Sequence, residues 1–126
     1  MAVTEVPHSL WQRRLDEFTA IHDGWLVSID VLGADLGAQH EVSNLPLLGI
    51  SVDRTGGEDL VDVAVEKPGG DHLSHQVRNV RRVWIEQVEE GCDAAAGFES
   101  ADGTRTIVRL REAVRPETVD GVSVRP

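Results

Sequence analysis

A pair of histidines in the run Asp71-His72-Leu73-Ser74-His75 is the first candidate for chemistry in this sequence. On a helix, three-residue spacing would place both imidazoles on one face, where they could bind a metal ion. The run follows a glycine-rich break and reads as a strand, on which odd spacing sends side chains to opposite faces. A third ligand, such as His22 or His40, would have to come from a distant segment. We therefore predict exposed strand histidines and no metal site.

Nucleophilic chemistry has little support in the sequence. Cys92 is the only cysteine, and it stands beside Asp93 and after Glu89 and Glu90. Those carboxylates are an unfavourable environment for a thiolate nucleophile. The chain also lacks the G-x-S-x-G, H-E-x-x-H, Walker and dinucleotide-binding motifs. These observations favour a protein that is not an enzyme and that uses no cofactor.

Three arginines could form a binding surface. Arg105, Arg109 and Arg111, which we call the arginine face, share one side of the last predicted strand because their spacing is even. A second group could extend this face (Arg78, Arg81 and Arg82). Such a patch could bind a phosphate, a carboxylate ligand or an acidic partner. The competing interpretation is an ordinary solvated face whose arginines pair with Asp and Glu, because surface ion pairs are routine.

One amphipathic helix precedes the segments that carry these residues. Ser9-Leu10-Trp11-Gln12 has the form of a capping box, and Gly24 can end the helix. Apolar residues follow at the helical period (Trp11, Leu15, Phe18 and Ile21). We predict a helix over residues 9–23 after a loose arm over residues 1–8.

From Trp25 the hydrophobic period changes to two, which is typical of strands. Turn residues divide this part into segments near ten residues long, and Pro46 marks an edge, bulge or bend in the second of them. Asp102-Gly103 predicts a hairpin with a two-residue type I′ loop, which would pair Ser100 with Arg105 and point Val108 inward.

The fold class that follows is mainly β with one N-terminal α-helix, built as a small antiparallel barrel or sandwich of about six strands. At 126 residues the chain is long enough for a single domain that buries its own core. We predict a β-rich core over residues 25–111 and an irregular tail over residues 112–126.

Composition limits the partners. The net charge of −10 disfavours nucleic acid and anionic lipid, and no apolar run reaches the roughly 18 residues of a membrane span. The start of the chain lacks the basic-then-apolar order of a signal peptide, and a single cysteine fits a reducing compartment. We expect a cytoplasmic protein, and Lys67 as the only lysine indicates a GC-rich bacterial genome.

The segment Asn44-Leu45-Pro46-Leu47-Leu48-Gly49-Ile50-Ser51-Val52 resembles the D/N-x-S-x-x-G turn and following strand of PilZ domains, six-stranded barrels that bind cyclic di-GMP. Asn44 and Gly49 match this motif, whereas Pro46 replaces its serine and the R-x-x-x-R arm is absent. The resemblance implies a degenerate nucleotide-sensing barrel, with Asn44, Gly49 and the arginine face near the ligand. The competing interpretation is a bend that turns a barrel corner.

A longer resemblance covers about Leu10 to Gly121. Five blocks occur in order: His22-Asp23-Gly24-Trp25-Leu26-Val27, Leu32-Gly33-Ala34-Asp35-Leu36-Gly37-Ala38-Gln39, Leu45-Pro46-Leu47, Glu99-Ser100-Ala101-Asp102-Gly103-Thr104 and Pro116-Glu117-Thr118-Val119-Asp120-Gly121. Together they are similar to a small bacterial family known as domain of unknown function 5335. This resemblance implies no activity, cofactor or catalytic residue.

The function that the sequence favours is a non-enzymatic binding or accessory module that self-associates or binds a protein partner. Trp11, Trp25 and Trp84 stand out in a chain poor in aromatic residues, and tryptophan anchors cores or interfaces. Edge strands and the helix offer natural dimer surfaces. The alternatives are the nucleotide-sensing barrel and, last, a small metal-dependent hydrolase that uses His72 or His75.

Overall fold

The computed structural model describes residues 2–33, 37–89 and 91–111, so the predicted tail lies outside the described residues. A 3₁₀ turn (His8–Leu10) leads into helix α1 (Trp11–His22). The strands are β1 (Ala2–Glu5), β2 (Leu26–Gly33), β3 (Gly37–Thr55), β4 (Glu58–Glu66), β5 (His72–Val77), β6 (Val80–Glu89), β7 (Cys92–Ser100) and β8 (Arg105–Leu110).

All eight strands form one antiparallel sheet in the order β1-β6-β7-β8-β2-β3-β4-β5. The sheet is not closed, and β1 and β5 are its two edges. The mainly β class with an N-terminal helix is confirmed, but the prediction of about six strands is wrong, and so is the barrel alternative, because the sheet is not closed. One added strand is β1, which arises within the expected loose arm. Its four residues are all exposed, so the sequence shows no apolar alternation there. Backbone pairing with β6 holds this strand in place.

Strand β3 changes partner where Pro46 interrupts the apolar pattern. Its first half pairs with β2 as far as Pro46, and its second half pairs with β4 from Leu47. Asn44 has a positive φ of 54°, and the register shifts between Leu47 and Gly49. These irregularities let one strand serve two parts of a curved sheet, because bulges bend a strand and increase its twist.

Helix α1 forms where the apolar period predicted it, but its beginning and its buried face differ. The residue before the helix is Leu10, and no side chain caps it, so the Ser9 capping box does not form. Trp11 instead donates its indole N–H to the Val6 carbonyl at 2.9 Å. His22 lies on the buried face, whereas Ile21 is 61% exposed.

The β7–β8 hairpin has a three-residue loop, so the predicted type I′ loop is wrong. Gly103 donates to the Ser100 carbonyl and Ser100 donates to the Thr104 carbonyl, both at 2.9 Å. Only Gly103 in the loop has a positive φ, at 89°, while the Asp102 carboxylate accepts from the Thr104 N–H at 2.9 Å. This pairs Glu99 with Arg105 and shifts the predicted register by one residue.

The core lies on the inward face of the curved sheet. Alternate residues of β2, β4, β6 and β8 are fully or almost fully buried there, together with Phe98 and the apolar face of α1. Val108 is fully buried, as its strand face predicted. The polar alternation places the arginines and most carboxylates of these strands on the outward face.

Candidate functional site

The arginine face is an outward surface whose side chains meet carboxylates. Arg105 Nε lies 3.7 Å from Glu99 on β7. Arg82 on β6 bridges two acids, since its Nη2 lies 3.0 Å from Glu5 and its Nη1 lies 3.5 Å from Glu99. Four side chains from four strands thus form one network of alternating charge.

Arg109 belongs to a second network on the same outward face. Its Nε lies 3.3 Å from Asp30 Oδ2 on β2, and His40 Nδ1 lies 2.5 Å from Asp30 Oδ1. The hydrogen bond from His40, with a further one from Arg109, lowers the pKa of Asp30. The carboxylate is therefore an anion that engages Arg109. Arg111 is exposed just after β8, and its backbone N–H donates to the Leu26 carbonyl at 2.9 Å.

Asn44 and Gly49 lie on two different parts of β3. Asn44 is exposed in the half that pairs with β2. Gly49 lies beside α1, where a Cβ atom would come within 3.5 Å of Thr19 Cγ2, and the Thr19 hydroxyl accepts from the Ile50 N–H at 2.9 Å. Thus Gly49 borders the helix, whereas the arginine face lies on β8. Their role in ligand binding stays a prediction.

Trp84 forms the apolar centre of the outward face. Its indole lies across Gly97 on β7, where an added Cβ would stand only 2.2 Å from the ring atom Cε2. The Arg105 guanidinium carbon lies 5.9 Å from the centroid of the Trp84 ring, within cation–π range. Trp84 stands out in the sequence, whereas Gly97 does not, because its position directly opposite Trp84 depends on the strand pairing.

An apolar strip extends from Trp84 towards both sides. Gly97 pairs with Trp84 and with Ile107 on β8, which is half-buried. Val3 is diagonal to Trp84 on the edge strand β1 and is 60% exposed. We call this surface the Trp84 face; its members are Val3, Glu5, Arg82, Trp84, Glu86, Gly97, Glu99, Arg105 and Ile107.

A buried polar cluster ties α1 to β7. His22, 3% exposed, donates from Nδ1 to the Phe18 carbonyl at 2.8 Å, and its Nε2 lies 3.9 Å from Asp93 Oδ2. Asp93 Oδ1 accepts from Gln87 at 2.7 Å and from Arg14 at 3.2 Å. Burial lowers the pKa of His22, although the Phe18 carbonyl and Asp93 oppose this shift. The cluster holds α1 against β7, and the lowered pKa favours the neutral form of the His22 imidazole.

The predicted histidine pair lies on strand β5. His72 is opposite Glu66 and His75 is opposite Val63, so the two imidazoles point to opposite faces, as predicted for a strand. In residues 2–33, 37–89 and 91–111, no three His, Cys, Asp or Glu side chains are grouped as metal ligands. Cys92 is exposed and free, and its Sγ lies 3.8 Å from Glu89 Oε1.

These features define a small, open antiparallel sheet with one packed helix and an outward tryptophan face. The chain belongs to a family of unknown function, DUF5335, whose model matches residues 2–119, so the resemblance seen in the sequence is confirmed. It is similar to an uncharacterised protein of Aquifex aeolicus (strain VF5), with 26% identity over 114 residues that cover 90% of this chain and 96% of the relative. No solved structure matches the chain significantly.

Across the ranges that the structure describes, no helix combines the length and the apolar character needed to cross a bilayer.

Proposed function

We propose that this protein is a non-enzymatic cytoplasmic binding module that associates with a second copy of itself through the Trp84 face. The observation that carries the proposal is an exposed apolar side chain, Val3, beside a half-buried tryptophan at a free sheet edge. Tryptophan and arginine are the residues most enriched among the dominant contacts of interfaces, and Arg105 lies over this ring.

The charge distribution supports a second copy as the occupant. Each chain carries a net charge of −10, so two copies repel one another over most approach directions. On the Trp84 face, Glu5 and Glu99 are matched by Arg82 and Arg105. Glu86, directly opposite Val3, adds one further carboxylate. This surface is therefore much closer to neutral than the whole molecule, and two such surfaces can approach with less repulsion than the net charge would generate.

The sheet edge supports the same arrangement. All four residues of β1 are exposed, and among the residues that the structure describes, one side of this strand has no neighbour in the sheet. An edge strand can pair with the same strand of another copy, which continues the sheet and satisfies its free backbone groups. A twofold arrangement would bring both copies of Val3 to the interface. The exposed free Cys92 is consistent with a reducing compartment such as the cytoplasm.

Sedimentation velocity of Val3→Glu against Ile21→Glu tests this proposal. Both side chains are about equally exposed in the chain, at 60% and 61%, so neither change should disturb folding. We expect the unmodified chain and Ile21→Glu to sediment as dimers at about 100 µM, and Val3→Glu as a monomer, because a charge on each copy would be buried at the interface. A monomeric unmodified chain, or a dimeric Val3→Glu variant, contradicts the proposal.

The nucleotide-sensing alternative has weaker support. Arg105 and Arg109 already engage carboxylates, and Gly49 borders α1, away from the arginine face. Calorimetric titration with cyclic di-GMP distinguishes the two functions: binding heat that Arg109→Ala abolishes would favour nucleotide sensing. His72 and His75 point to opposite faces of β5, so their positions do not support the hydrolase alternative.

A further inference from the structure

A polar cleft lies at the end of the sheet that carries the β7–β8 loop. We call it the end cleft; its volume is about 520 Å³, within the range of small-molecule sites. Segments that are distant in sequence line it: the ends of β2 and β5, the start of β4, and the loop around Asp102. The arginine face, Asn44 and Gly49 are not among its lining residues.

Thr106 indicates that the floor of the cleft is suited to a ligand. It lies on the inward face of β8, is 2% exposed and lines the cleft with Val31 and Val77. No side-chain hydrogen bond among the described residues involves its hydroxyl, although other threonine hydroxyls of the chain, such as that of Thr19, are bonded. A buried polar group without a partner destabilises the fold, so a donor that enters the cleft would satisfy this hydroxyl.

The rim of the cleft is acidic. Glu41 on β3, Glu58 at the start of β4 and Asp102 in the β7–β8 loop all line it, and their carboxylates come from three separate elements. Arg78 is the one arginine among the described residues of the lining, and its Nη2 lies 3.7 Å from Glu58 Oε1. Carboxylates and hydroxyls accept hydrogen bonds, and an ammonium group donates three. We propose that the end cleft binds a small organic amine, with the ammonium groups held by these carboxylates and by the Thr106 hydroxyl.

Arg78 competes with the ligand in this arrangement. Its guanidinium stands beside Glu58, where it neutralises part of the acidic rim, and its side chain is 74% exposed. A cationic ligand must share Glu58 with this arginine or displace it. Removal of the Arg78 charge should therefore strengthen amine binding, whereas an anionic ligand would lose its only arginine partner in the cleft.

Calorimetric titration with spermidine, and separately with inorganic phosphate and butane-1,4-diol, tests the proposal. We expect spermidine alone to bind. Glu58→Gln should weaken this binding about fivefold or more, and Thr106→Val, which keeps the side-chain shape, should weaken it by a similar factor. Arg78→Gln should strengthen it severalfold. The matched control is Glu66→Gln, a half-buried carboxylate at the other end of β4, which should leave the affinity unchanged.

Three results would overturn the proposal. Equal weakening by Glu58→Gln and Glu66→Gln would mean that spermidine only senses the net charge of the protein. Binding of phosphate that Arg78→Gln abolishes would mean that the cleft selects an anion. Binding of the diol as tightly as spermidine would mean that the carboxylates do not select charge. If Thr106→Val fails to fold, the proposal is still tested by the other two variants. Glu58→Gln should weaken spermidine binding, whereas Arg78→Gln should strengthen it.

Discussion

Arg105 and Arg109 lie on the outward face of β8, as the even spacing of these residues predicted. Their partners come from other strands, since Glu99 lies on β7 and Asp30 on β2. A local period indicates which way a side chain points, but it does not specify which strand lies beside it. For this reason the direction of the arginines could be predicted from the sequence, and their ion pairs could not.

Gly97 should tolerate no side chain. In Gly97→Ala the new Cβ would stand 2.2 Å from the Trp84 ring, so the indole must move from its place over β7. We expect the free energy of unfolding to fall by about 1–3 kcal/mol, the usual cost of overpacking. The control is Gly49→Ala, whose Cβ would lie 3.5 Å from Thr19 in ordinary contact. Equal unfolding midpoints in urea for the two variants would contradict the packing of Trp84 on Gly97.

His22 should make the protein less stable as the pH falls. Burial, with a smaller contribution from Arg14, lowers its pKa in the folded state below the ordinary value of 6.5, although the Phe18 carbonyl and Asp93 oppose this shift. The unfolded state therefore binds a proton first, and stability decreases as the pH falls through about 6.5 towards the folded-state pKa. At higher pH the imidazole is neutral in both states and the penalty is absent.

Chemical unfolding between about pH 7.5 and pH 5.5 measures this contribution as a slope. The slope should be smaller in His22→Gln than in the unmodified chain. His72→Gln, which removes an exposed histidine of β5, should keep the full slope. An unchanged slope in His22→Gln would show that burial of this imidazole does not control the pH response.

At the level of elements, periodicity predicted α1 and the strands through the core, because each buries one face against the same interior. Strand β1 was missed since its four exposed residues carry no pattern, and its position depends on pairing with β6 about eighty residues later. The β7–β8 loop was misjudged because Asp-Gly also suits a three-residue loop in which only the glycine has a positive φ. Both residues of the two-residue loop between β3 and β4, Gly56 and Gly57, do have positive φ.

The β7–β8 hairpin should depend on Gly103. Its φ of 89° is strained for a β-branched residue, so Gly103→Val should lower the free energy of unfolding by about 1–2 kcal/mol or more. Gly103→Asn is the matched control, because asparagine adopts positive φ more readily, and it should cost less. Thermal unfolding followed by circular dichroism compares them. Equal melting temperatures for Gly103→Val and the unmodified chain would show that the loop has another conformation.

At the level of the whole molecule, the period-two hydrophobic pattern predicted a β-rich protein with one helix, and the eight-stranded sheet confirms this class. The single domain, which was inferred from the length of the chain, stays a prediction. The strand order could not be predicted from local patterns. Strand β2 pairs with β8, which lies far from it in the sequence, as well as with the next strand, β3. The same order creates the Trp84 face, since it brings Val3, Trp84 and Ile107 from distant segments onto one surface. An apolar surface close to neutral, on a chain of charge −10, is the feature on which the proposed self-association depends.

Hydrogen exchange at two protein concentrations tests that self-association and its location together. If copies associate through the Trp84 face, the amides of β1 and of β6 near Trp84 should exchange more slowly at about 100 µM than at about 1 µM. The exposed side of α1, including Ile21, should exchange equally at both concentrations. Identical exchange of β1 at the two concentrations, or concentration-dependent protection confined to α1, would contradict the account.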